Sequence, residues 1–547
     1  MTILQWIMGL RKSPFIYLFC SFLTGTLLWL AWPERGFTAL IFIAFVPLFW
    51  LEEQFLGKDT RSPGKKMFGY YYLSLFIWNV LSTYWIWYAS DVGGVFALTA
   101  NSLLMSLVWL VYFNTRKRYG TFIGYFSLVC YWIAFEYLHL NWELSWPWLT
   151  IGNVFAGDPK WIQWYEYTGV LGGTLWVLLI NIVIFQLIKN IFKKDLMRKI
   201  LRINTAIMTS ILLVLVALPL LLSFYLYEKR TDRGESISVV IVQPNIDPYN
   251  EKFSGPASEQ IAKLLRLGST MIDSSTNLFI GPETAIAEGI WEEEIFIDKN
   301  ILSIRQFNTA FPHLQILIGL ASYHAYQEGE PPSASARKFR DADAYYDAYN
   351  TAMLLNHGDS IQLYHKSKLV PGVERMPYPA IFGFLENYSI ELGGTSGSLG
   401  TQKERTNFVT SGGMKIAPSI CYESIYGGFM SNYIRAGAEM IAIITNDGWW
   451  RDTPGYRQHK NYARLLAIEF RKSIARSANT GISCFINQRG DIMQETKWWE
   501  DDAIKETIYK NKIVTFYARY GDYIGFIAAF ISICILVFMG AKRTLGW

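Results

Sequence analysis

The chain is short of charge. Asp, Glu, Lys and Arg make up 17% of its 547 residues, against about 25% in an ordinary globular chain. Hydrophobic residues reach 51% and aromatics 16%. So little charge with so many large apolar side chains excludes an intrinsically disordered chain. The charge that is present nearly cancels: 50 Lys and Arg against 45 Asp and Glu leave +5, so a nucleic-acid partner is not implied. Cysteine is scarce too. Of five Cys, Cys20, Cys130 and Cys534 fall in apolar runs, which excludes a disulfide-stapled mini-protein. The six His lack metal-ligand spacing, so a zinc centre is disfavoured. No internal repeat or collagen-like period is present. What remains is a membrane protein or a very apolar soluble one, long enough for about three or four domains.

The apolar residues are clustered. Uncharged runs of about the 20 residues a spanning helix needs occupy 14–32, 67–90, 92–115, 167–188 and 205–226. Three others are less clean: 36–51 is short, 119–138 carries Glu136 near its end, and 523–541 stands alone near the C-terminus. One such run fits a buried core helix, but eight do not. The expectation is seven spans before residue 227 and one after 522. Lys and Arg fall in alternate loops: Arg11 and Lys12; Lys58, Arg61, Lys65 and Lys66; Arg116, Lys117 and Arg118; Lys189, Lys193, Lys194, Arg198, Lys199 and Arg202; Lys542 and Arg543. Such an excess marks the cytoplasmic side, which predicts both termini inside and 227–522 outside. The first apolar run is too long for a signal peptide and lacks a small-x-small cleavage site, so it reads as a retained span. The segment 139–166 holds Trp142, Trp146, Trp148, Trp161 and Trp164. Trp at this density suits the membrane–water interface, either as an anchor or in holding lipid.

Residues 227–522 change character, with charges, turns and short apolar runs. Strand-like runs are 236–243, 277–281, 314–323, 350–356, 361–365, 414–421 and 440–446, with helical stretches over 259–273 and 461–478. Strands alternating with helices predict an α/β domain with a mixed sheet. The polar stretch 325–344 reads as a mobile surface loop without chemistry. The glycines of 393–400 lack the strand-then-helix context of a phosphate-binding loop.

Three residues each follow a strand-like run, where an α/β sheet commonly presents chemistry. They are Glu283, Lys366 and Cys421. A thiolate is a strong nucleophile, but a free Cys near pKa 8.5 needs activation. A carboxylate with a raised pKa can take its proton, and a cation beside the carbonyl can stabilise the oxyanion. Together they would make a covalent acyl-transfer site without histidine. Taken singly, Glu and Lys also read as solvated surface and a strand-end Cys as buried packing.

Gly281-Pro282-Glu283-Thr284-Ala285, Lys366 in Tyr364-His365-Lys366-Ser367-Lys368-Leu369-Val370-Pro371, and Cys421-Tyr422-Glu423 occur in that order. Tyr349-Asn350-Thr351, the run Thr445 to Trp450 and Asn479-Thr480-Gly481 flank them. These motifs resemble the Glu–Lys–Cys triad of the nitrilase superfamily. With the spans, and with Trp146-Pro147-Trp148-Leu149, essentially the whole chain resembles the apolipoprotein N-acyltransferase family of the bacterial inner membrane. The resemblance implies an eight-span α-helical transmembrane bundle carrying an α/β nitrilase-like αββα sandwich. Its boundaries would be 1–226 for seven spans, 227–515 for the extracytoplasmic catalytic domain, and 516–547 for the last span and a cytoplasmic tail. It implies transfer of an acyl chain from a phospholipid, phosphatidylethanolamine in the usual case, to the α-amino group of a diacylglyceryl-cysteine lipoprotein. No cofactor or metal is needed, and a monomer is expected.

Carried over by motif, Cys421 is the nucleophile, Glu283 the general base and Lys366 the oxyanion stabiliser. Glu374, Glu423 and Tyr422 support them. The loop after Gln243 usually carries Lys-Trp; here Lys252-Phe253 stands there, so Phe253, with Trp449, marks a substrate loop. The family's aromatic-Gly-Glu after Leu-Val-Pro is replaced by Gly372-Val373-Glu374. Other readings use the same triad: a membrane-tethered nitrilase-type amidase, for which one anchor would suffice, or an acyltransferase with a different amine or polyprenol-linked acceptor. A transporter would carry charges along a path through its spans, and the sequence offers only Glu136.

Overall fold

The computed structural model describes residues 13–56, 62–192, 198–356, 360–382 and 398–545. Arg11, Lys12, Lys58, Arg61, Lys193, Lys194 and most of 393–400 lie outside these residues. The chain divides into two compact units. One comprises 1–84, 95–226 and 522–547; the other comprises 85–94 and 227–521.

Six described helical stretches in the chain are long and apolar enough to cross a membrane: Pro14–Ala31, Thr38–Leu56, Asp91–Asn141, Tyr165–Ile191, Ile203–Lys229 and Tyr523–Lys542. The expected third span is not among them. Its helix, Pro63–Thr83, holds Lys65 and Lys66 in its first turn and carries Asn79, Ser82 and Thr83, and it ends well before residue 90. Asp91–Asn141 covers two expected spans. Its 51 residues would measure about 75 Å at about 1.5 Å per residue, far more than a bilayer core of about 30 Å. It is broken at Gly120, where φ is 85° and ψ is −176°.

Charge inside this first unit is not limited to Glu136. Glu52 and Arg116 are both buried and pair at 3.0 Å, and the Tyr112 hydroxyl donates to Glu52. Helix Val46–Leu56 therefore continues past the uncharged run, because a buried charge is tolerated when it is paired and hydrogen-bonded. Glu136 accepts from Trp132 Nε1 at 2.9 Å, Ile151 N at 2.8 Å and Thr174 Oγ1 at 2.7 Å. Three donors meet its carboxylate and tie the 3-10 turn Ile151–Gly157 to two helices. Trp148 and Trp164 are buried inside this unit, so these two rings pack protein rather than facing lipid.

The second unit is built on fourteen described strands: β1 (Glu235–Gln243), β2 (Thr276–Ile280), β3 (Ile286–Trp291), β4 (Gln315–Ala325), β5 (Arg337–Lys338), β6 (Tyr345–Leu355), β7 (Ile361–His365), β8 (Phe408–Val409), β9 (Lys415–Ile420), β10 (Met440–Thr445), β11 (Ile474–Ala478), β12 (Cys484–Ile486), β13 (Ile492–Glu495) and β14 (Asp502–Lys510). They form an eight-stranded sheet, β14-β1-β2-β4-β6-β5 with β3 on β4 and β7 on β6, and a six-stranded sheet, β13-β12-β11-β10-β9-β8. Both are mixed: β1 pairs antiparallel with β14 but parallel with β2, and β11 pairs parallel with β10 but antiparallel with β12.

Alternation along β1 shows the layering, since successive side chains of a strand face opposite sides. Ile237, Val239 and Ile241 join Ile416, Ala442, Ile444 and Phe485 in one core between the sheets. Val240 and Val242 face the other way, against Ile261, Leu264 and Ile304 of helices Ala257–Ser269 and Lys299–Thr309. Helices Gly427–Arg435 and Pro454–Phe470 cover the second sheet through Met430, Tyr433, Leu466 and Phe470. The order is helix, sheet, sheet, helix, as expected. Each large aliphatic side chain buried in these layers contributes about 1.5–3 kcal/mol.

The helix expected over 461–478 stops early. Arg471 takes a left-handed conformation (φ 52°, ψ 45°) after Phe470, and Ile474–Ala478 becomes β11 between β10 and β12. The 325–344 stretch is mostly exposed, but Arg337–Lys338 pairs with β6.

Candidate active site

The strand registers bring the three candidates together. Ile280 of β2 pairs with Leu317 of β4, so Glu283 leaves the sheet beside Gly319. A Cβ at Gly319 would stand 2.4 Å from Thr284 N and 2.7 Å from Glu283 Cα. Only glycine lets the Glu283 turn lie this close, and Thr284 closes that turn at φ 49°. In the same sheet Thr351 pairs with His365, and Lys366 N donates to Asn350 O at 2.8 Å. Lys366 thus follows β7 next to Asn350. In the second sheet Ile420 pairs with Ile444, so Cys421 leaves β9 beside Thr445.

Lys366 is buried. Its Nζ donates to Glu283 Oε1 at 3.1 Å and to Glu374 Oε1 at 2.7 Å. Asn350 Nδ2 donates to Glu283 Oε1 at 2.7 Å. Glu374 Oε2 accepts from Val370 N at 2.8 Å, so the changed Gly372-Val373 loop still delivers this carboxylate to Lys366. Lys252 is also buried, and its Nζ donates to the Glu283 carbonyl at 3.1 Å.

Cys421 opens a 3-10 turn, Cys421–Ile425, from a left-handed backbone conformation with φ 51°. Glu423 locks the turn. Its Oε2 accepts from Ile420 N at 2.9 Å, and its Oε1 accepts from Ser367 N and the Tyr364 hydroxyl at 2.7 Å each. One carboxylate therefore ties the cysteine turn to the lysine loop. Tyr422 is buried, with its ring edge-on to Tyr426 at 5.1 Å. Phe253 is half-exposed and stacks with Trp449 at 6.3 Å. All eight residues singled out in the sequence lie in the second unit.

Charges set the protonation states. Burial and the nearby Glu283 carboxylate push the Cys421 thiol up, so it holds its proton. Burial acts on Glu283 in the same direction, but Lys366, Lys252 and the Asn350 amide outweigh it and hold the carboxyl below its ordinary value. The raised carboxyl expected from the sequence is not found, because two ammoniums face it instead of one. Lys366 lies well above the usual lysine value: burial opposes its charge, but Glu283 and Glu374 outweigh burial. Burial brings Lys252 down to about 8. The resting arrangement is a protonated thiol, an anionic carboxylate and a charged lysine, which suits proton abstraction concerted with attack on a carbonyl carbon.

A second network lies behind the cysteine turn. His459 Nε2 lies 3.1 Å from the Cys421 carbonyl and 3.0 Å from Ser424 Oγ, and its Nδ1 lies 2.9 Å from Asp447 Oδ1. Arg476 Nη2 donates to Asp447 Oδ2 at 2.7 Å. Asp447 stands in a motif that was legible. His459 and Arg476 carry no local signal and meet it only through the fold.

The ends of β2, β7 and β9 thus present a carboxylate, an ammonium and a thiol on a helix–sheet–sheet–helix sandwich, the fold of the carbon-nitrogen hydrolase class. Residues 239–516 match the carbon-nitrogen hydrolase family model, and residues 24–183 match the apolipoprotein N-acyltransferase N-terminal domain. A Chlorobaculum tepidum protein named apolipoprotein N-acyltransferase is 30% identical over 526 residues, 94% of each chain. One of the same name from Thermotoga maritima is 24% identical over 554 residues, 97% of this chain and 95% of its own. Among solved structures, Saccharomyces cerevisiae Nit3, a member of branch 10 of the nitrilase superfamily, aligns with 50% of this chain and 90% of its own. Its identity is 14% and its TM-score 0.35. The chain belongs to the apolipoprotein N-acyltransferase family.

Proposed function

We propose that the chain moves an acyl group from a phospholipid to the α-amino group of a diacylglyceryl-cysteine lipoprotein, through a thioester on Cys421. Glu283 takes the thiol proton as sulfur attacks the ester carbonyl carbon. The tetrahedral oxyanion is held by Lys366, with the Tyr422 N–H as second donor. Its collapse breaks the ester C–O bond, and the leaving lysophospholipid oxygen takes the proton from Glu283. The lipoprotein amine then attacks the thioester, gives a proton to Glu283, and the departing sulfur regains it. Glu374 and Asn350 orient Lys366 and Glu283, Glu423 holds the cysteine turn, and Phe253 and Trp449 border the substrates. No step calls for a metal or cofactor.

In this reading seven spans lie within 1–226, the catalytic domain 227–515 is outside the cytoplasmic membrane, and a last span lies within 516–547, with both termini inside. The protein acts as a monomer on phosphatidylethanolamine or a related donor. Placing the catalyst in the membrane that holds both substrates raises their effective concentration.

One observation carries the reading most: a thiol on a left-handed turn, grouped with a carboxylate that a buried lysine holds. The test is labelled phospholipid without acceptor. Wild type is expected to accumulate a hydroxylamine-sensitive acyl-protein and Cys421→Ala none, with discharge only on adding a diacylated lipopeptide. Steady release of free fatty acid with no acyl-protein would favour a hydrolase instead.

A further inference from the structure

The stretch after β10 leads away from the thiol. Thr445 hydrogen-bonds Cys421, the 3-10 turn Asp447–Trp450 follows, and Arg451 closes it with φ 53° and ψ −165°. That combination lies close to a region nearly reserved for glycine. The Arg451 guanidinium lies over the rings of Tyr88, at 5.1 Å, and Tyr249, at 5.6 Å, and it hydrogen-bonds the Tyr249 hydroxyl.

The frame around it is fixed. Tyr249 Oη lies 2.6 Å from Trp449 O and 3.0 Å from Tyr88 O, its single O–H shared between the two carbonyls. Trp85 is buried with its ring 4.8 Å from that of Trp450. It also lies so close to Gly455 that a Cβ there would come within 2.7 Å. Yet Arg451 itself is exposed, and no carboxylate pairs with it among the described residues. The adjacent Asp452 is taken by Arg457 at 3.1 Å. A guanidinium held on aromatic faces keeps a planar donor edge suited to a phosphate.

We propose that Arg451, framed by Tyr88 and Tyr249, binds the phosphate diester of the lipid acyl donor and thereby sets the donor class. The proposal rests on Cys421 drawing its acyl group from a phospholipid ester. In such a lipid the phosphate stands a few bonds from the ester carbonyl. A four-residue 3-10 turn advances about 8 Å at about 2 Å per residue, a span of the same order.

The test compares kcat/KM for acyl-enzyme formation from a phospholipid and from a phosphate-free ester of the same acyl chain. It uses full-length wild type, Arg451→Gly and Arg451→Lys. Glycine suits the backbone at this position, so the variant retains its fold. The phospholipid-to-ester ratio is expected to fall about ten-fold in Arg451→Gly, chiefly through KM, and less in Arg451→Lys, which keeps charge without the planar fork. An unchanged ratio, or a rise only in KM for the lipopeptide acceptor, overturns the assignment. Thermal stabilisation by inorganic phosphate that depends on Arg451, with no change in the ratio, would assign a free-anion site and overturn the donor reading. Absence of acyl-enzyme from any phospholipid in wild type would overturn the underlying reading along with the proposal, whereas the other results leave that reading standing.

Discussion

Lys252 holds a charge that mild alkali removes. Burial brings its ammonium from the ordinary 10.5 down to about 8, against the opposing pull of Glu283 and Cys421. Below that value the cation is present beside Glu283 and Cys421, and above it the cation is lost. Acyl-enzyme formation is therefore expected to decline as pH rises through about 8, and Lys252→Arg is expected to move that limb upward. A pH profile of single-turnover acylation checks this, and an unchanged limb in the variant would count against it. With Glu283 as the proposed base, the acid limb should lie below the ordinary carboxylate value of 4.5, because Lys366 and Lys252 outweigh its burial. His459 acts one step back, through the Cys421 carbonyl. His459→Ala should lower kcat about ten- to a hundred-fold with little change in KM, as for a displaced but intact nucleophile. His459→Gln, which keeps an amide donor, should recover part of it. The three candidates Glu283, Lys366 and Cys421 were legible because each sits in a motif at a strand end. Lys252 in its buried role, His459 and Arg476 were not, since their partners are distant in sequence and only the sheet registers bring them together.

Among elements, long apolar strands were the easiest to read. β1 and β10 carry unbroken aliphatic runs, and β4 and β9 mostly apolar ones, because both faces are buried, and their expected bounds agree with the structure to within a few residues. β11 was lost inside a supposed helix: Ile474-Ala475-Arg476-Ser477-Ala478 has no strand-like alternation, and its strand identity comes from pairing on both sides. β3, β8, β12 and β13 are short or polar and gave no signal of their own. The crossing of β4 beneath the Glu283 turn makes a sharper prediction. Gly319→Ala would press a methyl against three backbone atoms that cannot swing aside. Overpacking of this kind costs about 1–3 kcal/mol, and displacing Glu283 by a fraction of an ångström should slow acylation up to about a hundred-fold. Thermal unfolding and single-turnover acylation measured on one preparation check both parts. Normal acylation in a destabilised variant would show that the turn can relax.

For the molecule as a whole, the charge deficit noted in the sequence has a location: it belongs to the apolar helices, while the sandwich is normally charged. The proposed orientation can be tested with an impermeant thiol reagent on single-cysteine variants. A cysteine at 235 is expected to label from outside, and one at 118 only after the membrane is opened. The number of crossings was less legible than their existence. Helix Pro63–Thr83 is diluted by polar residues, and Gly120 turns one long helix into two arms. The second unit takes in residues 85–94, far from the rest of it in sequence. That borrowing makes the catalytic sandwich inseparable by simple excision. A fragment spanning 227–521 would lack Trp85 and Tyr88, leaving Trp450 bare, a hollow at Gly455 and Arg451 without one of its two rings. Such a fragment should be aggregation-prone when expressed alone, and supplying 85–94 through a covalent linker should restore solubility. Gene truncation at an apparent domain border would thus cut through a fold whose covalent order and spatial order differ.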